Sequence, residues 1–442
     1  MSKPAPGQLF NVLGLTFGLA GSVGGTIGAG ILRTPGLVAA ELPSAPLVLT
    51  AWLVGGLYAL LGAVCIAELA ASLPRAGGWY VYAEQAFGRR AGWLVGWTDW
   101  IAHCVGLAWV ATTVGDYLVE VAPALPLPSQ AIALLVLALF SAIQLLGVRA
   151  GGASQELLSL AKAAAFLGLV LGCFLLPLPL DPTPAATAVP QGSALLLAAV
   201  LALQAVITTF DGWAAPVYFA EEFNEPARDL PRSLIGGVLA VLGLYLMING
   251  ALLHVLPMPL LSHSTLPAAD AAQLLLGERG RQLITAVALV SLLGLINTVV
   301  MAAPRILYGL GRDGLMPGFT SGVNEGGTPV PALLLTAGCG ALLVLGGSFD
   351  HLLGMGAFLY VGLPLSGIAA QLVLRQQQPD LERPFRSWGY PLTPLLVGVV
   401  SLAFLVGALL SDTGDSLLAL ALVGLGVAAG ELWHRRADTA QG

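Results

Sequence analysis

Two short stretches of this chain place helix-breaking residues where only helix would be expected. "GGTIGAG" (Gly24–Gly30) lies inside one long apolar run, and "FDGWAAP" (Phe210–Pro216) interrupts another with Asp211, Gly212 and Pro216. Glycine weakens a helix interior by roughly 1 kcal/mol relative to alanine, and proline by about 3. Both runs are therefore expected to unwind locally. Unwound residues carry N–H and C=O groups without intrahelical partners, a costly state unless the break lines a cavity and binds something polar. A half-helix beginning near Gly30–Ile31 would turn its free N–H groups and partial positive charge toward a carboxylate. The carbonyl end of the half-helix before it, with the carbonyls of the second break, suits an ammonium. One site holding both groups fits an α-amino acid, and the glycines let it approach the backbone closely. Against this stands plain packing, since Gly21/Gly25 and Gly24/Gly28 are small-xxx-small pairs.

Charged and polar side chains inside apolar runs extend the set. Lys162, in "LLSLAKAAAFLG", is either a lysine snorkelling to a helix end or a midplane cation that satisfies carbonyls exposed by the first break. In the second case burial would disfavour its charged form, so that its charge could change with its surroundings. Asp211 offers either its backbone alone or its carboxylate as well. Arg33, one turn from the first break, points into a vestibule or pairs with an acid such as Glu41. Asn297 lines the pocket or bridges helices. Asp99 and His103, four apart on one helical face, and Glu68 are read as internal pairing and gate structure. Tryptophans such as Trp79, Trp93 and Trp388 suit interfacial belts.

The elements that position these residues are membrane helices. Of 442 residues, 57% are hydrophobic and only 10% charged, against about a quarter charged in soluble domains. About 20 mainly apolar residues are needed to cross a bilayer, and the chain offers twelve such spans: 9–41, 46–72, 92–119, 129–148, 155–177, 194–222, 233–256, 282–309, 331–347, 351–374, 391–411 and 416–433. The fold class is thus an all-α polytopic membrane protein with short connections, one domain over 1–442. Leu9–Ala20 followed by "LAGS" has the outline of a signal peptide. Its positive region is thin and the apolar character resumes, so it is read as part of the first span. With the N-terminus inside, fourteen of the 18 Lys and Arg residues fall on the inner side. Only Arg279 and Arg281 fall outside, while Arg33 and Lys162 lie within spans. That bias puts both termini in the cytoplasm. The breaks fall in spans 1 and 6, matching positions of two five-helix halves, which points to a transporter's midplane site.

Five motifs, in order along nearly the whole chain, resemble the amino acid–polyamine–organocation (APC) superfamily of transporters. They are "GAGILRTPG" (Gly28–Gly36), "AELAASLPRAGGWYVY" (Ala67–Tyr82), "FDGW" with "EEFNEPARDLPRS" after it, "INTVVMAAPRILYGLGRDGLMP" (Ile296–Pro317) and "RPFRSWGYPLTP" (Arg383–Pro394). The resemblance implies a LeuT-type fold: one five-helix repeat (9–177), a second, inverted one (194–374), and two peripheral helices (391–433). It implies alternating access around a site between helices 1 and 6. The N–H groups of Ala29 and Gly30 would hold the carboxylate, and the carbonyls of Thr26, Thr208 and Asp211 the ammonium. Relatives without sodium dependence carry a lysine at the position of Lys162, which implies either a group that changes protonation during the cycle and couples protons to substrate, or a fixed sodium mimic, which fits exchange. The chain departs from the pattern at Ala29, where a serine is common, and at Thr208, where several relatives have an aromatic gate; Phe210 is then the candidate lid. It departs again at Glu225 and Pro304, away from the expected site.

The expected substrate-binding residues are therefore Thr26, Ile27, Gly28, Ala29, Gly30, Thr208, Phe210, Asp211, Gly212 and Asn297, with Lys162 as the coupling residue. No catalytic residue, metal site or cofactor is expected. Cys65, Cys104, Cys173 and Cys339 lack ligand spacing, "GLGRDG" follows a membrane helix rather than a strand, and Walker A, HExxH and GxSxG motifs are missing. Basic residues follow topology, so nucleic acid binding has no support. The expected partners are a small amino acid substrate, protons and the lipid bilayer, and a homo-oligomer stays open. The reading is sodium-independent, proton-coupled transport of neutral L-amino acids across the plasma membrane. Exchange, transport of cationic amino acids or polyamines, and a non-transporting sensor are the alternatives.

Overall fold

The computed structural model describes residues 9–28, 30–122, 124, 126–177, 191–346, 349–411 and 413–441. In chain order its α-helices are α1 (Leu15–Thr26), α2 (Gly30–Glu41), α3 (Ala45–Ser72), α4 (Trp79–Phe87), α5 (Arg89–Val121), α6 (Ser129–Leu145), α7 (Val148–Leu175), α8 (Ser193–Thr209), α9 (Pro226–Val255), α10 (Met258–His263), α11 (Pro267–Leu276), α12 (Glu278–Arg312), α13 (Val330–Gly346), α14 (Phe349–Gln377), α15 (Leu392–Ser411) and α16 (Thr413–Gln441). Among the described residues the only β pairing is a single bridge between Leu13 and Phe223.

Eight helices are long and apolar enough to cross a bilayer, and α1 with α2, bent by 48° at the break, makes a ninth span. The other three expected spans correspond to α6, α8 and α13. Each is apolar but only 17 residues long, about 26 Å by helical rise, just short of the hydrocarbon thickness. Several helices extend a few residues beyond the apolar runs. α7 begins at Val148, after Gly147 at φ +113°, and α9 at Pro226, where proline suits a first helical turn. Hydropathy marks the part of a helix in lipid, while the helix itself runs on into the polar layer. The connections are not all plain loops, because α4, α10 and α11 fill two of them. These helices are too short to carry a span-length apolar signal.

α7 has the burial pattern of a membrane helix. Its leucines Leu157, Leu160, Leu167 and Leu171 are exposed, while Gln155, Ser159 and Lys162 are buried. An exposed apolar stripe of this length suits lipid rather than water. The polar residues sit four and three apart, on one face, and that face packs on α1. α1 also packs on α9, α3 on α9, and α5 on α12 and α14. Of the tryptophans expected at the interface, Trp388 is exposed, but Trp79 and Trp93 are buried. Each buried indole has found a hydrogen-bond acceptor: Tyr218 Oη for Trp79 and the Gly426 carbonyl for Trp93. That satisfaction lets an indole leave the interface.

Candidate functional site

Both breaks are present, and they touch. α1 ends at Thr26, Ile27 is extended (φ −75°, ψ 94°), and α2 restarts at Gly30. α8 stops at Thr209, and the chain continues as a 3₁₀ helix (Ala215–Glu222) after Gly212 at φ +98°. A Cβ on Gly25 would lie 2.6 Å from the Gly212 carbonyl oxygen, and one on Gly212 would overlap the Gly25 carbonyl. The two unwound segments therefore cross backbone to backbone. Tyr245 on α9 bridges them, its hydroxyl within reach of the Thr26 carbonyl (3.1 Å) and the Thr209 carbonyl (3.3 Å). The Thr34 and Thr209 hydroxyls, 2.7 Å apart, join α2 to α8.

The bared carbonyls of the first break are met from α7. Lys162 Nζ donates to Gly24 O at 2.8 Å and to Ile27 O at 3.0 Å, and the side chain is wholly buried. One turn earlier, Ser159 Oγ donates to Ala20 O at 2.8 Å, and Gln155 Nε2 lies 3.4 Å from the same oxygen. The snorkelling alternative for Lys162 is thus excluded: its ammonium turns inward, to the break.

A cavity of about 500 Å³ lies beside the two breaks. Thr26, Gly28, Gly30, Thr208, Phe210, Asp211 and Gly212 of the expected set line it. Ala29 lies outside the described residues. Ile27 is expected in the site but is fully buried, its carbonyl engaged by Lys162, so it shapes the break rather than the cavity. Asn297 requires correction. It is fully buried on α12, away from the cavity lining, and bridges helices: its amide donates to Gln155 Oε1 (2.9 Å) and accepts from Gln144 (2.8 Å) and Ser154 (3.1 Å). The carbonyls expected to hold an ammonium are already partly used. Thr26 O accepts from Tyr245 and Thr208 O from the Asp211 N–H at 3.2 Å, leaving each a second lone pair. Phe210 is buried against Tyr245 and Trp52, with ring centroids 5.0 and 6.1 Å away, a wedge behind the break more than a lid over it.

Sequence reasoning missed several lining residues: Tyr58, Trp79, His103, Tyr218 and Tyr360. Only His103 carried a signal, its four-residue spacing from Asp99, and that was read as internal pairing alone. The pair does exist: His103 Nδ1 lies 2.9 Å from Asp99 O and 3.1 Å from Asp99 Oδ1. Glu68 behaves as expected, bound by Arg375 at 2.6 Å and by the Ser387 N–H. Arg33 lines the cavity, and among the described residues it forms no ion pair with Glu41.

Leu37 on α2, Tyr117 on α5 and Leu352 on α14 also line the cavity, as do Trp79 and Tyr218. Beyond these lies a cluster of charges near the Leu13–Phe223 bridge. Arg75 pairs with Asp313 and Arg312 with Glu221; Arg312 Nε also lies 3.0 Å from Asp313, and Tyr80 donates to it at 2.8 Å. Arg305 and Glu222 form a buried pair. These contacts join α12 to α4 and to the segment after the second break. Burial pushes the Asp313 carboxyl up, but the hydrogen bond and charge of Arg312, with Tyr80 and Arg75, outweigh it and hold it below the usual aspartate range. Burial and the Asp313 charge instead push Glu84 up. A carboxyl with a depressed pKa keeps its contacts above that pKa and loses them only as pH falls through it. In Ala76→Cys the labelling rate, corrected for the thiolate fraction against a free thiol at each pH, is thus expected to stay constant between pH 7 and pH 6. Asp313→Asn, which removes the shared charge, should raise that labelling about tenfold, as loss of 1–2 kcal/mol of closed-state contacts would. An unchanged rate in the variant would refute the cluster as a closing device.

The amino acid permease family profile matches residues 8–427. The chain belongs to that family, within the APC superfamily, whose members are transporters rather than enzymes. Among similar proteins are the serine/threonine exchanger SteT of Bacillus subtilis (27% identical over 432 residues, 93% of this chain and 94% of SteT) and the Asc-type amino acid transporter 1 of Mus musculus (31% over 402 residues, 86% and 72%). The b(0,+)-type amino acid transporter 1 of Homo sapiens is 26% identical over 424 residues, covering 92% and 85%.

Proposed function

We propose that this chain moves neutral L-amino acids across the plasma membrane by alternating access, without sodium, coupled to protons through Lys162. The observation that carries this reading is the Lys162 ammonium lodged between the carbonyls of Gly24 and Ile27, wholly buried, at a break that borders the cavity. A bound cation already occupies the position where a coupling ion would neutralise those carbonyls. Gly30 N–H, at the start of α2, faces the same break and suits the substrate carboxylate, with Thr26, Thr208 and Asp211 near the ammonium. Neutral substrates suit a lining whose described residues offer one carboxylate, Asp211, against one guanidinium, Arg33, and one imidazole, His103. The twelve-span count, with α6, α8 and α13 as full spans, two inverted five-helix repeats, α15 and α16 peripheral, and both termini cytoplasmic, belongs to the same proposal. The cavity then opens outward and the ion cluster closes the cytoplasmic side.

A second reading, exchange of one amino acid for another, is favoured by the similarity to SteT, named an exchanger. Purified protein in liposomes separates the two. Uptake into empty liposomes accelerated by an inward proton gradient supports proton coupling. Uptake that requires internal amino acid and ignores the gradient supports exchange. A thermal-shift series of the twenty amino acids and polyamines tests substrate class; stabilisation by arginine or polyamines alone would overturn the neutral assignment.

A further inference from the structure

Among the described residues His103 is the one imidazole on the cavity wall, and its surroundings fix how the ring is held. It lies on α5, 5% exposed, edge-on to Tyr218 (centroids 4.9 Å apart) and Tyr360 (5.7 Å). Nδ1 is within 2.9 Å of the Asp99 carbonyl oxygen, which can only accept. Nδ1 must therefore carry a hydrogen, and Asp99 Oδ1, 3.1 Å away, reinforces that tautomer. Asp99 is itself held: Tyr218 Oη donates to its Oδ1 at 3.0 Å, and Trp79 Nε1 donates to Tyr218 Oη at 2.8 Å. The ring is thus held by a chain of three residues, Asp99, Tyr218 and Trp79, with Nε2 on the side away from Asp99. Among the described residues no group hydrogen-bonds Nε2, and His103 lines the cavity.

We propose that His103 reads the substrate side chain, with Nε2 as the hydrogen-bonding group and Asp99 as the residue that positions it. This rests on the amino acid transport reading above and names the substrate class within it: amino acids whose side chain bears a hydroxyl. A neutral ring with its hydrogen on Nδ1 offers a lone pair at Nε2, and a hydroxyl donates to it. A protonated ring offers N–H, and the same hydroxyl accepts. A hydrocarbon side chain of equal size answers neither, and would leave Nε2 desolvated and bare. Sites built to bond a substrate hydroxyl discriminate against the analogue lacking it for this reason. Threonine and valine form the isosteric pair that isolates the effect.

The test is competition binding, or thermal-shift titration, of purified full-length protein with threonine and valine. Wild type should bind threonine at least tenfold more tightly than valine, the scale of one net hydrogen bond to a buried partner. His103→Phe keeps the ring bulk and removes Nε2, and should bring the ratio close to one. Asp99→Asn, which loosens the ring without deleting it, should lower the ratio partway. The ratio is the readout, so a general loss of affinity in a variant cancels. Equal binding of threonine and valine by wild type overturns the assignment without any variant, as does a ratio that His103→Phe leaves intact. If wild type binds no amino acid at all, the transport reading falls with it, whereas tight binding without discrimination removes only the role of His103.

Discussion

Lys162→Met should transport amino acids at no more than about a hundredth of the wild-type rate, because at least two buried carbonyls lose their donor and each costs roughly 1–3 kcal/mol. Methionine fills the volume of the lysine shaft but donates nothing to Gly24 O or Ile27 O. The loop between α1 and α2 then has no reason to keep this shape, and the cavity wall goes with it. Arginine is not expected to rescue. A Cβ on Gly294 would lie 2.6 Å from Lys162 Cε, so the groove on α12 is sized for an unbranched shaft and has no space for a guanidinium. Gly294→Ala, which pushes on the same shaft, should impair transport in the same direction. Uptake and counterflow in liposomes distinguish the two roles of the lysine. If Lys162 only props the break, both assays fail together. If it couples protons, any residual counterflow in Lys162→Met should be insensitive to pH, whereas Gly294→Ala, which keeps the amine, should retain its pH dependence. Unchanged uptake with unchanged pH dependence in Lys162→Met would remove both roles.

What could be read in advance follows a physical dividing line. Features written in local composition were legible: the glycines of Gly24–Gly30, the Asp211–Gly212 break, and a lysine too costly to sit in an apolar run without a reason. That the bared carbonyls of the first break need a donor was legible as well, since unwound peptide groups in lipid must be satisfied by something. Contacts between distant helices were not. Asn297 could have faced the cavity or its neighbours on equal terms, and only packing puts Gln144, Ser154 and Gln155 around it. Ile27 stands between two cavity-lining residues, Thr26 and Gly28, yet is fully buried itself, a choice made by local chain direction and not by residue type. The aromatic wall formed by Trp79, Tyr218 and Tyr360 comes from three separate segments, whose residues look in sequence like ordinary membrane aromatics. Short helices such as α4 escaped for another reason, because nine residues carry too little periodicity to register.

Gly212→Ala is expected to abolish substrate binding, not merely to slow transport. Gly212 sits at φ +98°, where an L-residue with a Cβ is strained by roughly 1–3 kcal/mol. Its added methyl would also overlap the Gly25 carbonyl oxygen, and neither obstacle can be relieved by a rotamer change because both partners are backbone. Gly25→Ala meets the reciprocal obstacle at the Gly212 carbonyl, 2.6 Å from its Cβ, without the φ strain. The two variants should therefore differ in severity, with Gly212→Ala the worse. Their effects should also fail to add, since the first methyl already forces the crossing segments apart and the second finds the contact gone. Gly243→Ala serves as the comparison: it lies exposed on α9 with nothing within 4 Å of its Cβ, and should bind as wild type does. Substrate-dependent thermal shift on the three single variants and the double variant measures all of this. Wild-type binding by Gly212→Ala would mean that the two breaks need not cross at this distance. The ligand would then be held by side chains, and the glycines of both segments would revert to ordinary helix packing.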